Sequence, residues 1–233
     1  MADTPRLLPA WAEDLRRRYV RGEASMFVLH GNVFDAVIHQ QTSLALTDFL
    51  TDVLLRDSRQ TIAVYNLATG IRFARREPGL VGVDDALLAA EKPKALAALE
   101  RVLIGGSKVA VILEYAEAIA PAGDPTFQAD ADRAAVITLQ RWSSMPEIDT
   151  DDDLILLVTE NLTEISPKVV SNPKVGVVSI PMPDLETRRA AARLADPRLA
   201  DKDVDRFAEI TAGLKSVQIA SILRPAPASE DEA

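Results

Sequence analysis

The sequence predicts an α/β fold: a parallel sheet covered on both faces, followed by a small helical cap. Three observations carry that expectation. Five short, β-branched apolar runs recur along the chain, helical patterns separate them, and after the fifth run strands give way to three short helices. The runs are Met26–Leu29, Thr61–Tyr65, Lys108–Leu113, Leu154–Thr159 and Val175–Ile180. Each is apolar almost throughout, as strands buried on both faces are, whereas a half-exposed strand carries a polar residue at every second position. Strands alternating with helices imply right-handed crossovers between parallel neighbours.

The helical segments follow from periodicity and punctuation. Trp11–Val20 reads as an amphipathic helix with Arg16, Arg17 and Arg18 on its wet side. In Leu44–Leu55, Leu46, Phe49, Leu50, Val53 and Leu54 form a stripe at helical spacing. Pro93 opens Lys94–Leu103 where proline costs least, and Gly105 and Gly106 end it. Ala129–Trp142 is periodic through Ala135, Val136, Leu139 and Trp142. Beyond the fifth strand, Asp184 caps Leu185–Leu194, Gly213 closes Asp203–Ala212, and Ser216 caps Val217–Leu223. The expected organisation is a core over residues 1–183, a helical lid over 184–224 and a disordered, proline-broken tail over 225–233.

Composition narrows the function. A chain of 233 residues can bury a real core. No apolar run reaches the roughly 18 residues of a membrane span, and the N-terminus lacks a secretory h-region, so a cytoplasmic protein without a membrane partner is expected. The absence of cysteine excludes disulfides and thiolate chemistry, and His30 and His39 alone cannot build a multi-histidine metal centre. With 26 basic and 35 acidic residues the net charge is −9, which speaks against nucleic acid as a partner.

The stretch Leu154–Asn161, the junction Ile180, Pro181, Pro183, Asp184, Arg188, and the lid residues Ala208, Thr211, Gly213 and Leu214 together resemble the second half of an AAA+ ATPase module. The resemblance spans about Phe27 to Leu223 and implies a RecA-like three-layer αβα core, with a five-stranded parallel sheet ordered 5-1-4-3-2, plus the lid. It also implies an oligomeric assembly, with modules of this kind set beside an active one; the chain then reads as an N-terminal piece of a longer tandem protein.

The family's phosphate-handling parts are altered. In place of GxxxxGK[ST], whose amides and lysine hold phosphates, the chain has His30–Ser43, with Gly31, Asn32 and Asp35 where the loop belongs. Asp35 would repel a triphosphate, and Gly31-Asn32 suits a tight turn. The only GSK, Gly106–Lys108, precedes the third strand, at the wrong end of the topology. At the Walker B position stand Glu114 and Tyr115, with Glu117 nearby. Glu114 matches the metal-binding aspartate, or is a solvated carboxylate at a strand end; Tyr115 cannot position water. Asn161 matches the sensor asparagine, or forms a turn. Lys174 matches the arginine finger, as a point charge rather than a fork, or is a surface lysine. The run Asp149–Asp153 lacks calcium-loop spacing and reads as a charged turn.

The expected function is that of a degenerate AAA+ module without hydrolysis of its own, acting in assembly or regulation with a protein partner or further AAA+ module. One alternative is a nucleotide-binding ATPase with a nonstandard phosphate loop, holding ATP and Mg²⁺ through Glu114, Asn161 and Lys174. Another is a free-standing α/β interaction domain.

Overall fold

Strand β1 (Met26–Gly31) lies between β7 (Leu154–Thr159) and β8 (Val175–Ile180), parallel to both, with Val28 opposite Leu157 and Val177. The structure, a computed structural model, describes residues 8–80, 91–124 and 126–224; the expected disordered tail lies outside them. The chain divides into two units. One runs to Val33 and from Leu50 to Ile180, and the other joins Phe34–Phe49 to the chain from Pro181 onward.

The first unit holds a six-stranded sheet of order β5-β4-β6-β7-β1-β8, with β4 at Thr61–Asn66, β5 at Gly70–Arg75 and β6 at Val109–Leu113. Count and order therefore differ from the expected five-stranded parallel sheet. Strand β5, antiparallel to β4, is added at one edge, and the five expected strands stand beside one another inside the larger order. Neighbouring side chains on a strand face opposite sides, and Phe27, Val28 and Leu29 are all fully buried, so both faces are covered. One face packs on α3 (Lys92–Gly105) and α5 (Asp130–Trp142) through Leu99, Leu139 and Trp142. Across the β1–β8 pair lies α1 (Ala10–Val20). Arg18 is not on its wet side: its guanidinium lies 5.6 Å from the centroid of the Phe27 ring, and its Nη1 donates to the Val177 carbonyl at 2.7 Å.

The second unit is built on a hairpin, β2 (Val37–His39) and β3 (Thr42–Leu44), followed by the single turn α2 (Leu46–Phe49). The helix expected over Leu44–Leu55 is thus shortened to Leu46–Leu54, Leu44 belonging to β3, and its second half is π-helical. The chain leaves a strand, makes one α-turn, and only then enters a π-helical turn, Leu50–Leu54, of the first unit. Ile38 of the hairpin packs against the small core formed by Ala191, Ala192, Val204 and Ile219. These belong to α8 (Leu185–Ala195), α9 (Asp201–Ile210) and α10 (Ser216–Leu223), which follow the short helices α6 (Pro146–Thr150) and α7 (Pro167–Val170) of the first unit and are the three helices expected after the fifth strand. Asp184 caps α8 as expected, its Oδ1 accepting from the Thr187 amide at 2.8 Å.

Arg188, matched to the junction arginine, is buried. Its Nε donates to the Ala208 carbonyl at 2.9 Å and its Nη1 to the Pro183 carbonyl at 2.7 Å, which ties α8 to the end of α9. Replacing Arg188 by Met removes both donors from buried acceptors. It is expected to cost about 2–3 kcal/mol in urea unfolding. Arg188→Lys should recover only part of this loss, because an ammonium lacks the fork that reaches both carbonyls.

Candidate functional site

At the C-terminal end of β1, where a phosphate loop would begin, the backbone is already committed. Gly31 has φ +100°, and its amide donates to the Glu160 carbonyl at 3.0 Å. The Asn32 amide donates to the Ile180 carbonyl at 2.9 Å and the Val33 amide to the Gly31 carbonyl at 2.8 Å. A phosphate nest needs successive amides that converge outward on an anion. Here the Gly31 and Asn32 amides extend the pairing of β1 with its neighbours instead, and the Val33 amide closes a local turn.

Asp35 sits in the second unit with 4% of its surface exposed. Its Oδ2 accepts from the Ser216 amide at 2.8 Å, and its Oδ1 from Val217 at 3.0 Å and from Ala36 at 2.8 Å. The carboxylate therefore occupies the N-terminus of α10, the place of a helix where an anion is most favoured. This corrects the expectation that Ser216 supplies the cap: the helix begins at Ser216, and the Ser216 hydroxyl is buried without a hydrogen-bond partner.

The Walker B position lies at the end of β6. Glu114 Oε2 accepts from Asn66 Nδ2 at 2.8 Å, and its Oε1 lies 3.9 Å from Arg72 on the added strand β5. Asn66 in turn accepts through Oδ1 from the amides of Ala68 and Thr69, closing the turn between β4 and β5. Glu114 is not a freely solvated carboxylate but part of a hairpin network. Tyr115 adopts a left-handed conformation, φ 54°, and is exposed. Glu117 lies in the short helix α4 (Ala116–Ile119), with its Oε2 buried and unbonded.

Asn161 follows β7 and caps a 3₁₀ turn over Leu162–Glu164; its Nδ2 donates to Glu164 Oε1 at 3.0 Å, the geometry of a turn former. Lys174 precedes β8 at the opposite end of the strands. There it lines a cavity of about 1070 Å³ with Tyr19, Ser25, Arg59, Asp149 and Asp152. His30 pairs within the sheet between Thr159 and Ser179, and His39 lies edge-on to Phe49, 5.7 Å between centroids. Among the described residues no group of three or more His, Cys, Asp or Glu side chains is placed to hold a metal.

Two features of the site escaped the sequence reading. Strand β5, which brings Arg72 to Glu114, was signalled by the alternation of Ile71 and Phe73 with polar neighbours after Gly70. The capping role of Asp35 had no local signal, because its partners lie 181 and 182 residues away.

The family described as "AAA+ chaperone, N-terminal Rossmann-like domain" has a sequence profile that matches residues 3–181. No curated protein matches the sequence. No helix among the described residues is long and apolar enough to cross a membrane.

Proposed function

The chain belongs to the AAA+ chaperone N-terminal Rossmann-like domain family, and from that premise we propose that it is a non-hydrolysing AAA+ module that supports the assembly or regulation of a chaperone complex through contacts with further AAA+ modules. One observation carries the reading. The backbone amides at the end of β1 are bonded to Glu160 and Ile180, and the one carboxylate of the replacement loop, Asp35, already fills a helix N-terminus. A triphosphate would find no amide nest and no P-loop lysine there. With Glu114 held by Asn66 and Arg72, that residue acts as a structural group of the β4–β5 edge. Asn161 acts as a turn former. In this reading Lys174 serves at a contact with a neighbouring module rather than at a phosphate of this one.

One observation favours a second reading, in which the chain still binds ATP and Mg²⁺ through a nonstandard loop: the buried, unbonded Oε2 of Glu117 beside the Walker B position is a carboxylate oxygen without a role in the fold.

A thermal melt with and without ATP–Mg²⁺ separates the two. At a ligand concentration equal to Kd, stabilisation is about 0.4 kcal/mol. Millimolar ATP–Mg²⁺ is therefore expected to leave the transition unmoved. Glu114→Gln and Asn161→Ala should melt alike with and without nucleotide. A nucleotide-dependent rise in Tm that either substitution, or Glu117→Gln, abolishes would establish the second reading instead.

A further inference from the structure

At the edge of the sheet where β4, β6 and β7 begin, Asp153 is fully buried immediately before β7. Its Oδ1 accepts from the amide of Val109, the first residue of β6, at 2.7 Å, so a side chain supplies the bond that starts the β6–β7 pairing. Its Oδ2 is buried with no hydrogen-bond partner. Next to it, Arg59 is 4% exposed. Its guanidinium donates to the Asp152 carbonyl, lies 3.8 Å from the Asp152 carboxylate and stacks 4.8 Å from the centroid of the Tyr19 ring, while its Nε is buried and unbonded. The Tyr19 hydroxyl donates to Asp152. Burial and that bond push Tyr19 up to about 12, so it remains a donor at neutral pH.

We infer that Asp153 is a proton-dependent latch on this edge of the sheet: as a neutral acid it locks the starts of β6 and β7 together, and as a carboxylate it loosens them and the wall of the adjoining cavity formed by Tyr19, Arg59 and Asp152. The reason is electrostatic. Both forms accept from Val109, and that bond favours the anion, but the cost of burying an unpaired charge outweighs it, and the neutral acid carries no such charge. The anion would be buried with one amide for a partner. Among the described residues, Asp151 and Asp152 oppose it and Arg59, already engaged with Asp152, favours it. Burial accordingly lifts Asp153 to about 7, within reach of ordinary changes in cellular pH.

The sign follows from linkage. The closed edge holds the proton of Asp153 far more tightly than an opened edge, where Asp153 titrates at its ordinary value near 3.8. Stability of the closed edge is therefore greatest in acid, falls as pH rises between that value and about 7, and is flat above.

Hydrogen exchange of the Val109 amide, corrected for its intrinsic pH dependence, reads the latch in the whole chain. Between pH 5 and pH 7.5 protection is expected to fall at least tenfold, since each pH unit in the window changes the opening equilibrium by up to about tenfold. Asp153→Asn, which keeps the acceptor and cannot ionise, should show a flat profile. His30 and His39 are common to both proteins, so the difference isolates Asp153. Carbon-13 titration of the Asp153 carboxyl in the unaltered protein gives a second readout that does not depend on the variant folding. Parallel exchange profiles for the two proteins, or a carboxyl that titrates near 4, would overturn the proposal.

Discussion

Asp35→Ala is expected to lower stability by about 3 kcal/mol and to melt the hairpin-and-lid unit before the sheet. The substitution strips the amides of Ser216 and Val217 of their acceptor at the N-terminus of α10, and the Ala36 amide of a third bond. Each buried donor left unmade costs about 1–3 kcal/mol, and loss of an N-cap acceptor costs about 0.5–2 kcal/mol. Asp35→Asn retains one acceptor oxygen and should lose about half as much. Ser216→Ala is the control: its hydroxyl bonds to nothing, so its removal should be neutral within about 0.5 kcal/mol. Urea unfolding followed by hydrogen exchange across α10 measures all three. If Asp35→Ala were as mild as Ser216→Ala, the carboxylate would not be what holds the helix.

Gly31→Ala is expected to cost about 3 kcal/mol, from two sources. At φ +100° a side chain is strained in any space, and the added Cβ would lie 2.7 Å from the Ile180 carbonyl oxygen, a backbone atom that cannot move without breaking the β1–β8 pairing. Gly22 separates the two sources. It has φ +69° but nothing within 4 Å of a built Cβ, so Gly22→Ala should show the conformational part alone, about 1 kcal/mol. Equal losses at the two positions, read from thermal unfolding, would mean that the close approach to Ile180 is not tight. The comparison matters for function, because the same glycine that would open a phosphate loop is here sealed against β8.

Much of the fold was legible in the sequence because the sheet is covered on both faces. Continuous apolar runs such as Leu154–Thr159 mark such strands without ambiguity, and all five were placed within two residues. The helices after the sheet were legible from their punctuation, Asp184 opening α8 and Gly213 following α9. What failed lay where a residue's role is set by distant partners. The hairpin over Val37–Leu44 turns at Gln40 and Gln41, both at positive φ, without the glycine or asparagine that announces such a turn. The stripe from Leu46 to Leu54 is helical as expected, but its spacing did not show the change from an α-turn to a π-helical turn at Leu50. Arg18 was read as solvated because its helix neighbours Arg16 and Arg17 are, whereas the Phe27 ring lies on the strand after the helix and the Val177 carbonyl that it bonds is far along the chain. Of the candidate site, the departure from a phosphate loop was readable as the missing GK[ST]; what took its place, Asp35 on α10 and Arg72 at Glu114, was not.

The central claim is that this module has given up its hold on nucleotide, and isothermal titration calorimetry with ATP–Mg²⁺ tests it most directly. The expected result is no saturable heat with Kd tighter than about 1 mM, a binding free energy weaker than about −4 kcal/mol. A micromolar Kd, with one site per chain, would contradict the account.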